Sequence, residues 1–389
     1  MPRLHPKSSA CGSTLGPDGR PPVRSEAEPL VAHLPTARSG VHDTRARARD
    51  HGSVNPWWLL ASLGILLLAR FALRGRTLDA TPLLFLRLPF NAIAFAARRA
   101  LRLRRGRPDH PNEPKDDLFD FAEDRAAVEA RERELRARYA LAPLHARSSR
   151  HVYRENLYVL DALDTLVGDR AAALPAALRA LDVGSQDFRY AFALERWLSR
   201  AATTTPRAVS LTGIEIDGHP IYADRHTRAD HAEAFAAETG NPEVRYRVAD
   251  FLACEVERAH VVTLFFPFVL SYALVRWGLP LRHFRPEPLL AKIADALEDG
   301  GLLVVVNHTH EEHAAQRLLL AALPSLEVVG SWPVPGRMVD YGDDVPERTL
   351  TLARRAHRAA SALAPRPRTP GSEIEAPRSS PIAPRPGCS

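Results

Sequence analysis

From residue 179 onward the apolar positions fall in short runs separated by stretches of helical period. Ala180–Val183, Val209–Ile216, Val244–Val248 and Val261–Phe266 read as strands, with helices over 188–200 and 220–239. A helix over 287–298, a strand Leu302–Asn307 and a helix over 311–323 follow. The region closes on Leu326–Val329 and Arg348–Ala353, two strands with no helix between them. This alternation predicts an α/β fold with a mostly parallel sheet covered on both faces. The last pair, lacking a crossover, should run antiparallel. Upstream, a helix over 121–139 carries Glu129–Arg133, Glu132–Arg136 and Glu134–Arg138 at i,i+4, the mark of a solvated surface. A more amphipathic helix over 151–167 can turn Val152, Leu157, Leu160, Leu163 and Leu166 inward.

The N-terminal part has another character. Trp57 to Ala69 is an uncharged run of 13 residues, followed by Arg70 and Arg74. It is shorter than the ~20 residues needed to span a bilayer. A second apolar stretch, Leu83 to Ala97, places Phe90, Ala94, Ala97 and Leu101 on one helical face and Arg98, Arg102 and Arg105 on another. Residues 54–107 therefore suit the interface of an anionic membrane, and equally a buried helix with a charged linker. Residues 1–53 and 356–389 are rich in Pro, Ser and Arg and are expected to be disordered. Residues 108–177 read as a helical N-terminal cover, and 178–355 as the main domain. Met1 and Met338 are the only methionines, so initiation at a non-Met codon near Val54 would delete the first segment.

Charge sharpens this division. The formal net charge of +6 is an uneven sum: +11 for residues 1–110, −1 for 111–150, −7 for 151–355 and +3 for the tail. Nucleic-acid binding needs a basic folded surface, and the main domain is acidic, so no nucleic-acid partner is expected. Three widely spaced cysteines (Cys11, Cys254, Cys388) exclude a disulfide framework and a cysteine-based zinc site.

In an open parallel sheet the ligand lies beyond the carboxyl ends of the strands. The first strand runs into Asp182-Val183-Gly184-Ser185-Gln186-Asp187-Phe188, the second ends Glu215-Ile216-Asp217, the third Asp250-Phe251, and the fourth Phe265-Phe266-Pro267. An acid after the second strand is placed for ribose hydroxyls, and one after the third for an adenine amino group. A pyrophosphate needs glycines for close backbone approach. Here only Gly184 remains, and Asp187 would repel phosphate. A cationic sulfonium has no such need, which favours S-adenosyl-L-methionine over a nicotinamide dinucleotide.

These residues carry a resemblance. Leu178 to Ala353 resembles the class I S-adenosylmethionine-dependent methyltransferases, whose sheet is seven-stranded and Rossmann-like with a reversed final strand pair. Asp182 to Phe188 is similar to that family's acidic-x-Gly-x-Gly-x-Gly motif, with Gln186 and Phe188 in place of the later glycines. Glu215 matches its ribose acid, Asp250 its adenine-facing acid, and Phe265-Phe266-Pro267 the motif near the transferred methyl. Gly300-Gly301 resembles the turn before its fifth strand. The resemblance implies methyl transfer from S-adenosyl-L-methionine, with Asp182, Gly184, Ser185, Gln186, Asp187, Phe188, Glu215, Ile216, Asp250, Phe251, Phe266 and Pro267 as cofactor-binding residues.

The acceptor is open, a small molecule or a lipid-like compound, and no general base is assigned. A cytoplasmic enzyme, attached through residues 54–107 to the inner face of the cell membrane, is the expected setting. The alternative is a non-catalytic membrane-associated module that keeps the fold. His310 and His313 sit at i,i+3, but Thr309 and Glu312 also spell a capping box, and no metal site is expected. Arg150, Tyr153, Arg154 and Glu155 are placed to lie across the cofactor site.

Overall fold

The computed structural model describes residues 84, 87–340 and 347–357. The expectations for residues 1–53, for the run Trp57–Ala69 and for most of the tail lie outside these residues. Helix α1 (Leu88–Leu101) comes first, followed by α2 (Arg125–Arg138), α3 (Ala142–Arg147) and α4 (Arg150–Val167). The alternating region follows: β1 (Ala177–Val183), α5 (Ala191–Arg200), β2 (Ala208–Glu215), α6 (Arg228–Glu238), β3 (Val244–Val248) and β4 (Ala259–Phe265). Then come α7 (Ser271–Arg276), α8 (Pro286–Ala296), β5 (Leu297–Asn307), α9 (His310–Ala321), β6 (Leu326–Pro333) and β7 (Thr349–Arg355).

The strands form one seven-stranded sheet in the order β3-β2-β1-β4-β5-β7-β6. The β1–β2, β2–β3, β1–β4 and β4–β5 pairs are parallel, while β7 runs antiparallel to both β5 and β6. This is the Rossmann-like α/β sheet with a reversed edge pair that the sequence led us to expect. Chain order reverses between β1 and β4, which opens the crevice where such sheets take ligands. The central β5 shows why it is central: Leu302 to Asn307 is buried without a break, as only a strand covered on both faces can be.

Local chemistry sets several boundaries. Thr227 caps α6, accepting from Asp230 N while Asp230 accepts from Thr227 N, so the helix begins at Arg228. The expected helix over 220–239 is shortened accordingly, and Ile221 bridges Thr227 in the turn before it. Thr309 caps α9 by accepting from Glu312 N, and Glu312 returns to His308 N.

The helices before the sheet share its apolar core. Leu157, Leu160 and Leu163 of α4 are buried in the same apolar cluster as Leu178 of β1, Leu194 and Trp197 of α5 and Val304 of β5. Asn156 of α4 donates to Arg189 O and accepts from Ala193 N, fixing the start of α5. The i,i+4 helix needs a correction too: Glu132 is buried and accepts from Tyr153 Oη at 2.5 Å.

Helix α1 packs behind one wall of that crevice. Phe95 is fully buried among Leu84, Leu274, Val275 and Leu279. Asn91 Nδ2 donates to the carbonyls of Val275 and Leu279 at 2.8 and 3.3 Å, tying α1 to the end of α7 and the loop after it. Arg98 makes a bidentate pair with buried Asp217, at 3.2 Å from Nε and 2.6 Å from Nη2. Arg104 reaches Asp230 and Glu233. Among the described residues no helix is long and apolar enough to cross a membrane.

Candidate functional site

A pocket of about 130 Å³, partly open to solvent, lies over the carboxyl ends of β1 to β4. Gly184, Gln186, Glu215, Ile216, Asp250, Phe251, Phe266 and Pro267 line it. All eight were legible as strand-end residues, because a strand's last residue and the turn after it face the crevice whatever the rest of the chain does.

The loop after β1 keeps a glycine-like path. Gly184 has φ +78°, and a Cβ there would meet nothing within 4 Å. Gln186 and Phe188, which stand at the two later glycine positions, have φ +50° and +57°. Left-handed backbone costs a non-glycine residue about 1–2 kcal/mol. The surroundings hold it: Gln186 N donates to Glu215 Oε2 at 3.0 Å, and Gln186 O accepts from Tyr246 Oη at 2.8 Å. Phe188 is buried against Tyr190 and Tyr246.

That path takes four sequence candidates out of the lining. Phe188 points into the core. Ser185 is fully buried behind the loop. Asp187 is turned away and held by Arg189, at 2.9 Å from Nε and 2.6 Å from Nη2. Burial works against its charge, but the Arg189 guanidinium keeps the carboxyl below the usual range. Asp182 lies beneath the pocket floor, accepting from Thr263 Oγ1 at 2.6 Å and Tyr190 Oη at 2.8 Å. Burial pushes it up to about 7 against those two bonds, and the charge of Glu215 adds to the rise.

Glu215 is the most constrained carboxylate facing the pocket. Its Oε2 accepts from Gln186 N, and Oε1 from Asp217 N at 2.9 Å, with Arg228 Nη1 at 3.8 Å. Burial raises its pKa, opposed by Arg228 and by the two amides. An ionised carboxylate has about four acceptor sites, so two remain for vicinal hydroxyls. On the neighbouring strand end, Asp250 Oδ1 accepts from Leu252 N at 3.0 Å and Oδ2 lies 3.9 Å from His283 Nδ1. Burial, then Arg282, lowers the pKa of His283.

Spacing could not supply the far wall. Leu274, Trp277, Leu279 and His283 line the pocket from α7 and the loop after it. Phe95 of α1 backs them, its ring 5.0 Å from that of His283. Arg98 reaches the same site through Asp217, whose amide holds Glu215. The only advance sign of this wall was the apolar period of Leu83 to Ala97, which suits a membrane as well as a protein partner. Phe266, with φ +55°, follows β4 directly and makes a ring contact with His308 at 5.4 Å.

The residues present fit an adenosine-bearing ligand better than a dinucleotide. Two carboxylates face the pocket at adjacent strand ends, and Gly184 leaves room beside them. The apolar wall of Phe266, Pro267 and Trp277 suits a thioether or sulfonium and an adenine face.

No family model and no curated protein matches the chain. Among solved structures it is similar to TrmN from Thermus thermophilus, with a TM-score of 0.37 and 16% identity over 53% of each chain. It is also similar to the N-methyltransferase NodS from Bradyrhizobium japonicum, at 0.33 and 13% over 53% of this chain and 97% of that one. A SAM-dependent methyltransferase from Aquifex aeolicus gives 0.36 and 12%, again over 53% and 97%. The chain spans about half the length of the first of these. Likenesses this slight decide nothing about chemistry; the pocket residues have to.

Proposed function

We propose that this chain transfers a methyl group from S-adenosyl-L-methionine to an acceptor that is a small molecule or lipid-like. The observation that carries the reading is the pairing of Glu215 and Asp250 at adjacent strand ends beside the left-handed loop Gly184–Phe188. Glu215 would accept from ribose hydroxyls through its two free acceptor sites, held in place by the Gln186 and Asp217 amides. Asp250 would accept from the adenine amino group, and Phe251 would pack on the ring. When bound, the cofactor supplies a methyl carbon already activated by its sulfonium, open to in-line displacement.

The chain's own task is positional. Phe266 and Pro267 wall the end of the pocket beyond β4, and Trp277 and α1 limit water. Holding nucleophile, methyl and sulfur in line, with water excluded, is the main source of rate in such a displacement. Because the cofactor is an intracellular metabolite, the enzyme would work in the cytoplasm.

Isothermal titration with S-adenosylmethionine tests the reading. Binding should be saturable, and Glu215→Ala and Asp250→Ala should each weaken it by about tenfold or more, the worth of a hydrogen bond to a charged group. No binding, or variants indistinguishable from wild type, would sink it. The Gln186 side chain in a glycine position favours a second reading, a non-catalytic module that keeps the fold. Cofactor binding without methyl labelling of any extract component would move the balance there.

A further inference from the structure

Helix α1 is apolar on both sides. Leu88 and Phe95 face the domain, together with Asn91 and the paired Arg98. On the opposite side Phe90, Ile93, Ala94, Ala97 and Leu101 form one continuous stripe at i, i+3, i+4, i+7 and i+11. Ile93 is 69% and Leu101 66% exposed, and Phe90 47%. A helix hydrophobic all round is normally buried on all sides. Here half of it is not.

The charge around the stripe indicates what covers it. Residues 87–107 hold seven arginines and no acid. Arg98 and Arg104 are consumed by Asp217, Asp230 and Glu233. Arg87, Arg102 and Arg105 are exposed, and none has a side-chain acidic partner among the described residues, while Arg99 lies over the Phe95 ring on the domain side at 5.6 Å. A second copy of this chain, docked isologously, would set these arginines against their own counterparts. The preceding run Trp57–Ala69 is uncharged throughout, so folding it onto α1 would only move the bare apolar surface outward. An apolar stripe flanked by unpaired cations matches an anionic lipid surface.

We propose that the outward face of α1 lies on an anionic membrane surface, so that the helix backing the pocket's far wall is also the seat of the protein on lipid. Phe90, Ile93 and Leu101 enter the headgroup–acyl boundary, and Arg102 and Arg105 meet the lipid phosphates. The pocket's far wall then lies one helix thickness from the bilayer, which suits an acceptor drawn from the lipid phase. The seating stands on the exposure and charge of α1; only that last consequence rests on the methyl-transfer reading.

The test uses the full chain with phosphatidylcholine vesicles, plain or containing one third phosphatidylglycerol. The protein should float with the anionic vesicles, and amides of residues 88–101 should gain protection from hydrogen exchange there. Ile93→Ser with Leu101→Ser, both exposed and so harmless to the core, should lower the partition coefficient by about tenfold or more. Arg102→Gln with Arg105→Gln should lower it by about fivefold per residue on anionic vesicles only. Flotation without added protection over 88–101 would assign the membrane contact to another segment and overturn the proposal. A dimer in light scattering that Ile93→Ser with Leu101→Ser converts to monomer would overturn it in favour of a second copy. Calorimetry with S-adenosylmethionine on the same variants separates the two readings: cofactor binding should be unchanged when flotation is lost. Flotation by a chain that binds no cofactor would leave the seating intact and remove the enzyme.

Discussion

Phe95→Ala tests whether α1 is an independently docked wall. The ring is fully buried, packed on Leu274, Val275 and Leu279, and 5.0 Å from His283. Truncating such a ring in a rigid core costs about 3–5 kcal/mol. The remaining contacts of α1 are few: the packing of Leu88, the two Asn91 bonds and the Arg98–Asp217 pair, with the Arg104 pairs just beyond its end. The loss should therefore fall on α1 alone, which opens before the sheet does. Hydrogen exchange over 88–101 should rise by roughly two to four powers of ten, the same free energy read as an opening constant. The main thermal transition of the sheet should barely move. S-adenosylmethionine should bind more weakly, because the wall behind His283 is lost. Unchanged exchange over 88–101, or a main transition destabilised by the full 3–5 kcal/mol, would refute this picture of α1.

Two further consequences lie deeper in the molecule. Asp182 is pushed up to about 7 by burial, so the fold favours its neutral form. Its contribution to stability is fully present below the ordinary carboxylate range and lost as pH rises through about 7. Asp182→Asn should thus gain stability relative to wild type in urea titrations as pH rises from about 4 to about 7, and parallel pH profiles over that range would count against the assignment. Asp161 is fully buried and accepts from Arg131 Nε at 2.8 Å and from Arg337 Nε and Nη2 at 2.6 and 2.9 Å. Asp161→Asn leaves Arg337 without its acidic partner, while Arg131 keeps Glu134 and Asp164. Since Arg337 still reaches water, the loss should lie at the low end for a broken buried pair, about 3 kcal/mol in urea, and an unshifted midpoint would rule the pair out as a support.

Much of the fold could be read from the chain because its strands are short, apolar and bounded by helices of clear period. β3 ends where the pattern places it, and Val261–Phe266 differs from β4 by two residues at one end and one at the other. The helix before β3 was read too long. The apolar period continues back through Ile221 and Ala223, but Thr227 and Asp230 cap each other, and a local hydrogen bond outweighs period at a helix start. β6 was read too short, because Gly330 and Ser331 are poor strand formers that pair with β7 all the same.

For the site, the sequence by itself determined which acids stand at the carboxyl ends of β2 and β3. A strand end is a local property, and the crevice of a parallel sheet opens there. Tertiary structure alone decided where the side chains after β1 go. Three left-handed residues in a loop turn Asp187 onto Arg189 and Phe188 into the core, a rotation that residue types do not encode. It alone also decided the far wall. Leu83 to Ala97 is apolar with arginines behind it, a pattern that lipid and protein satisfy equally. Only the folded chain shows Phe95 and Arg98 turned onto Leu274 and Asp217, with Ile93 and Leu101 left facing out. The reason is physical: burial is non-directional, and a helix with two apolar faces needs its surroundings to say which one is covered.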